Sequence, residues 1–184
     1  MTEHYKTTSQ SRTTITELMI PAYANFGGKV HGGILLSLMD KVAYACASKH
    51  SGAYCVTVAV DGVAFLSPVE VGELVSLTAN VHFVGNTTMI VYIQVESLNP
   101  RTGELKHTNS CYFTMAAKNE NGELIQVPGL NIESKEDLIH FCEGKSIREN
   151  SKNNRALLEN NMQHLSLSEQ IDLCKNERCN ITIG

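Results

Sequence analysis

Among the titratable residues of the chain, Asp40 stands out, because its helix neighbours Leu38, Met39, Val42 and Ala43 are apolar. It follows Asn25-Phe26-Gly27-Gly28-Lys29-Val30-His31-Gly32-Gly33, a glycine-rich passage leading into a long apolar run. Glycines at a loop-to-helix junction permit close backbone approach and leave the first helical N–H groups free. With the helix dipole behind them, those groups suit a developing oxyanion. A carboxylate about two turns further on is expected to be partly desolvated, which costs on the order of several kcal/mol unless it is paired or functional. Such an arrangement suits a functional carboxylate beside a site for a developing oxyanion. A hydrogen-bonded structural aspartate fits the same residues, since buried carboxylates also occur in structural networks.

The elements that would position these groups can be read from periodicity. Residues 13–20 carry Thr and Ile in a strand-like run, and residues 21–29 form a loop broken at Gly27-Gly28. Residues 34–47 are Ala- and Leu-rich and apolar nearly all round, which reads as a buried helix stopped at Ser51-Gly52. Four strands are expected at 55–65, 74–84, 89–98 and 105–118, joined after the first by turns of three to six residues. Turns that short favour antiparallel pairing. The order predicts an α+β domain in which one antiparallel sheet buries its apolar face on one helix.

The composition shifts near Pro128-Gly129, after which Asn, Ser, Glu and Lys dominate. A domain at 13–128 and a helical extension at 131–184 are expected. In the extension, Leu138, Ile139, Phe141, Leu157, Leu158 and Met162 have helical spacing. Ser134 with Asp137 three residues on resembles a capping arrangement. Interruptions at Asn150, Asn154, Asn160 and Asn161 predict two or three short helices that dock without supplying catalytic groups.

The 184 residues are 42% hydrophobic and 18% charged, which supports a packed core. A net charge of -4 argues against a nucleic-acid partner. The polar residues 1–12 do not look like a signal peptide, and no apolar run approaches membrane-spanning length, so a soluble, cytoplasmic protein with no membrane partner is expected. Six irregularly spaced cysteines without a Cys-x-x-Cys pair indicate neither a disulfide framework nor a zinc site. Cys46, Cys55 and Cys111 read as small buried hydrophobes.

The run Gly28-Lys29-Val30-His31-Gly32-Gly33-Ile34-Leu35-Leu36-Ser37-Leu38-Met39-Asp40 resembles the signature of hotdog-fold acyl-CoA thioester hydrolases. These belong to the bacterial branch related to cytosolic long-chain acyl-CoA hydrolases. The resemblance continues through residues 56–69, Val71-Gly72-Glu73 and residues 84–89. It implies a sheet wrapped around a central helix, fatty acyl-CoA as substrate, and a homodimer with shared sites that is the unit of a trimer of dimers. Asp40 takes the place of the general base or nucleophile, and Asn25 that of a polar residue from the other protomer. Gly33 sits where the helix amide polarises the thioester, with Gly32 beside it at the substrate. Val84, Gly85, Asn86, Thr87 and Thr88 would line the pantetheine arm or nucleotide entrance, although an ordinary hairpin turn uses the same residues. Lys41, Lys49, Arg101, Lys106 and Lys118 could meet the CoA phosphates. No metal and no organic cofactor are implied.

His31 departs from the Phe often carried by close relatives and reads as a tolerated loop variant, though His can act as an acid or base near neutral pH. Two other functions share the fold: a non-catalytic acyl-CoA sensor, in which Asp40 would be dispensable, and a dehydratase or hydratase, toward which only His31 points.

Overall fold

Alternation of apolar residues builds the sheet. The strands β1 (Tyr5–Thr7), β2 (Thr13–Leu18), β3 (Tyr54–Phe65), β4 (Leu74–Val84), β5 (Thr88–Leu98), β6 (Leu105–Lys118) and β7 (Gly129–Asn131) are joined by the helices α1 (Thr8–Ser11), α2 (Gly32–Ser51), α3 (Lys135–Asn161) and α4 (Leu167–Leu173). The computed structural model describes residues 4–161, 165–175 and 177–182. Every second residue of β4 (Val75, Leu77, Ala79, Val81) and of β5 (Met89, Val91, Ile93, Val95) is fully buried. Cys111, Phe113, Met115 and Ala117 do the same on β6. Leu35, Leu38, Met39, Val42, Ala43, Cys46 and Ala47 of α2 join this core. Each large aliphatic side chain so buried contributes about 1.5–3 kcal/mol.

The five-stranded sheet has the order β2-β4-β5-β6-β3, antiparallel throughout. Strands β4 and β6 have the expected ends, and α2 begins two residues earlier than expected, at Gly32. Gly52, at φ 72°, ends α2 in the left-handed conformation, its N–H bonded to Ser48 O at 2.8 Å. The expectation of a buried helix, apolar nearly all round, holds for one face only. Gly33, Ser37, Asp40 and Tyr44 form an exposed line, at the spacing of 3 and 4 that follows one face.

The short pair β1 and β7, parallel to each other, was not anticipated, because three residues carry no measurable period. Lys6 Nζ donates to Lys49 O at 2.9 Å and His50 O at 2.7 Å, and His50 Nε2 lies 3.0 Å from Pro128 O. These contacts tie both flanks of the sheet to the C-terminal end of α2, where a cation also suits the helix dipole.

Two compact units meet after Arg148. The first includes β7, whose Leu130 is in the core, and the first half of α3. There Phe141 packs on Phe83 at 4.9 Å between ring centroids, and His140 stacks on His82 at 4.3 Å. The cap at Ser134 forms: Asp137 N donates to Ser134 Oγ at 3.0 Å, and Glu133 N donates to Asp137 Oδ2 at 3.2 Å. The hydroxyl of Ser134 donates to Asp137 Oδ2 at 2.8 Å and holds that carboxyl below its usual range.

Among the described residues the extension has two helices, within the expected two or three. Helix α3 runs unbroken through Asn150 and Asn154 for 27 residues, so the expectation that they would all be short is corrected. Asn costs a helix interior less than about 0.7 kcal/mol, and Arg148, Glu149, Lys152, Arg155 and Ala156 around it are good helix formers. In the second unit Ser166 caps α4 in a capping box with Glu169. Met162 lies outside the described residues, as does the side chain of Leu158. All six cysteines are free, and Cys46, Cys55 and Cys111 are buried. Burial pushes the Cys46 and Cys111 thiols up to about 12.

Candidate active site

The passage before α2 folds as a closed loop around one side chain. Asn25 Oδ1 accepts from Gly27 N at 2.8 Å and Lys29 N at 3.2 Å, while Asn25 N donates to Lys29 O at 2.7 Å. Gly28 turns the chain at φ 78°, and Lys29 pairs with Glu70. Val30 N bonds to Val69 O at 2.9 Å and His31 N to Tyr23 O at 2.8 Å, so the loop delivers His31 to the N-cap of α2. With Oδ1 engaged by the loop, the amide nitrogen of Asn25 is its group left to meet a ligand.

At the helix N-terminus the structure differs from expectation. The Gly33 N–H is not free: it donates to His31 Nδ1 at 2.9 Å. A methyl on Gly33 would come 3.0 Å from that nitrogen and 3.1 Å from His31 Cε1, and one on Gly32 would meet the Phe65 ring at 3.2 Å. A side chain at either position would have to push the neighbouring ring aside by a few tenths of an ångström.

Asp40 lies on the exposed line of α2, so within the chain it is solvated and the expected desolvation is absent. Its Oδ1 accepts from Thr57 Oγ1 at 2.6 Å. The two residues line a cavity of about 370 Å³ with Lys41, Tyr44, Tyr54, Cys55 and Val56. Thr57 was not picked out as a site residue. In a strand of valines, threonine reads as ordinary β-branched filling, and only the packing of α2 on β3 brings its hydroxyl to the carboxylate.

The predicted residues thus fall into separate groups. Asn25, Gly32 and Gly33 belong to the loop and helix start, and Asp40 to the β3 side of α2. Val84, Gly85, Asn86, Thr87 and Thr88 lie at the β4–β5 hairpin. There Gly85 N donates to Thr88 O at 2.7 Å, Val127 N to Asn86 O at 3.0 Å and Ala117 N to Thr87 O at 3.1 Å. Arg148, which sequence reasoning did not single out, lies beside Gly85 with its guanidinium 5.6 Å from the Phe83 ring centre. Of the candidate phosphate ligands, Lys106 pairs with the buried Glu73 at 3.0 Å, and Lys49 Nζ donates to Arg12 O at 2.8 Å. Burial raises the Glu73 carboxyl, but hydrogen bonds from Ser97, Glu70 N and Lys106 outweigh it and hold the group ionised. Glu73 serves structure. Among the described residues no cluster of three His, Cys, Asp or Glu is placed to hold a metal, and no helix is long and apolar enough to cross a membrane.

A five-stranded antiparallel sheet wrapped on the central helix α2 defines the class by its architecture as a hotdog fold. Residues 27–104 match the thioesterase superfamily. Protein VdlD of Helicobacter pylori (strain ATCC 700392 / 26695) is 44% identical over 122 residues, 66% of this chain and 70% of that protein. An apo hexameric acyl-CoA thioesterase shares 33% identity at a TM-score of 0.81, over 84% of this chain and 99% of that one. An acyl-CoA hydrolase from Staphylococcus aureus, in complex with butyryl coenzyme A, coenzyme A and coenzyme A disulfide, shares 25% identity at a TM-score of 0.79, over 86% and 97%. The chain belongs to the acyl-CoA thioester hydrolases of the thioesterase superfamily.

Proposed function

We propose that this enzyme hydrolyses fatty acyl-CoA to free fatty acid and coenzyme A, with Asp40 as general base or nucleophile. The observation that carries the reading is the Asp40–Thr57 hydrogen bond of 2.6 Å at the edge of an open cavity. The hydroxyl fixes one carboxylate oxygen and leaves the other to take a proton from water or to attack the carbonyl carbon. The Gly33 amide, at the positive end of α2, stabilises the oxyanion, a contribution typically worth about 10²–10³ in rate. Coenzyme A leaves as a thiolate that needs little protonation. Water is the co-reactant, and no metal or organic cofactor is required.

The site is completed by a second copy. Gly33 and Asp40 are seven residues apart on one helix, about 10 Å along the axis, farther than one carbonyl group spans. The loop carrying Asn25 and Gly33 would therefore serve the Asp40–Thr57 pair of a partner chain. Strand β3 offers the surface: it is a sheet edge with Tyr54 59%, Val58 46%, Val60 43% and Phe65 54% exposed. An apolar edge of that length needs covering. Pairing there gives a dimer with two shared sites, and the hexameric relative supports a trimer of such dimers. The hairpin at 84–88, with Arg148 beside it, lies against the pantetheine arm or the nucleotide, and the enzyme works in the cytoplasm.

The test is thiol release from a panel of acyl-CoAs of different chain lengths, followed with a chromogenic thiol reagent. Release dependent on the protein is expected for at least part of the panel, and none across all lengths would overturn the reading.

A further inference from the structure

The amide proposed to receive the thioester oxygen already has an acceptor in the free chain. A backbone amide carries one hydrogen, and that of Gly33 is directed at His31 Nδ1, 2.9 Å away. The imidazole also fills the space over Gly33, its Nδ1 and Cε1 lying 3.0 and 3.1 Å from where a Cβ would stand. A carbonyl oxygen approaching this amide meets the ring first.

The backbone of His31 is fixed at both ends. Its N–H bonds to Tyr23 O at 2.8 Å, and its carbonyl accepts from Ile34 N at 2.9 Å. Its side chain is exposed, so the ring can rotate away without moving the loop. Nδ1 accepts only in the tautomer that carries its proton on Nε2, so the ring's own donor faces away from the amide.

We propose that His31 is a positioning residue for thioester hydrolysis: its imidazole occupies the Gly33 amide in the free enzyme and is displaced by the substrate carbonyl. This rests on the assignment of Gly33 as oxyanion donor. The exchange keeps the N-terminus of α2 capped throughout, by imidazole between turnovers and by substrate oxygen during them. It also makes a carbonyl ligand bear the cost of displacing the imidazole, whereas a ligand without a carbonyl oxygen leaves the imidazole in place.

Two coenzyme A analogues separate these effects: a ketone in which methylene replaces the thioester sulfur, and a thioether lacking the carbonyl. Their dissociation constants would be measured by calorimetry on the full chain and on His31→Phe, His31→Ala and His31→Asn. Phe and Ala cannot accept the amide proton, so each should tighten the ketone by roughly threefold to tenfold, the size of one net hydrogen bond. Thioether binding should stay the same. Asn accepts as an N-cap residue and should bring ketone affinity back toward the wild-type value. Because two non-accepting variants carry the same expectation, the result does not depend on the folding of either one. Equal shifts for both analogues, or weaker ketone binding in the Phe and Ala variants, would overturn the role of His31 alone. Failure of both analogues to bind the wild-type protein would overturn the acyl-CoA reading and this proposal with it.

Discussion

Replacing Thr57 by Val removes one hydroxyl and keeps the β-branched shape that the strand favours. The hydroxyl lost is the donor to Asp40 Oδ1 at 2.6 Å. Hydrogen bonds to charged groups contribute about 1.5–3 kcal/mol. Asp40 is exposed in the chain, so water replaces part of the loss and the lower end applies. About 1.5 kcal/mol is roughly a tenfold fall in kcat/KM. The loss should appear in kcat more than in KM, because the bond orients the attacking carboxylate. Thr57 is itself exposed, so stability should change by less than about 0.5 kcal/mol. Thr57→Ser, which retains the donor, should keep most of the activity. Steady-state thiol release with thermal melting of the three proteins reads all of this. Activity of Thr57→Val within twofold of wild type, or equal impairment of Val and Ser variants, would refute the reasoning.

Three further outcomes follow from the same contacts. Inactive Asn25→Ala and Asp40→Ala chains, dissociated and reassembled together, should regain part of the activity through hybrid sites; verified mixed dimers without activity would show that each site is built within one chain. Gly144→Ala should destabilise by on the order of 1 kcal/mol in chemical denaturation, reversing the usual helix preference for Ala. The added methyl would meet Phe83 Cβ at 2.7 Å and His82 Cβ at 3.1 Å, so a stabilised variant would contradict the packing of α3. Burial, then the charge of His140, lowers the His82 imidazole from 6.5 to about 3. Between those values the unfolded chain binds the extra proton, so this contribution is complete above about pH 6.5 and falls with acidification by at most about 1.4 kcal/mol per pH unit. Burial shifts His50 in the same direction. The denaturation midpoint should therefore drop from pH 7 to 5, and less so in His82→Phe; a flat profile would refute this.

Much of the sheet was legible because strands such as β4 and β6 alternate without a break, and alternation needs no partner to be visible. The start of α2 was harder to place, since glycines that read as loop form its first turn, with His31 as the N-cap that accepts from Gly33 N. Asp40 could be singled out from its apolar neighbours, but its exposure depends on which side of α2 faces the sheet. Its bond to Thr57 joins residues 17 apart in the chain, and no local pattern marks such a contact. Nor did the sequence reveal that His31 takes the Gly33 proton, since a histidine cap is a matter of ring position. In α3 the asparagines look like breakers in the sequence, yet each costs a helix too little to end it.

The central claim is that Asp40 performs the chemistry, and the most direct test is the rate of thiol release by Asp40→Asn against wild type on the same acyl-CoA. Asn keeps the size and one acceptor for Thr57 but removes the base or nucleophile. The rate should fall by at least about 10²-fold, with an unchanged melting temperature. Near-normal turnover by a folded Asp40→Asn protein would contradict the account.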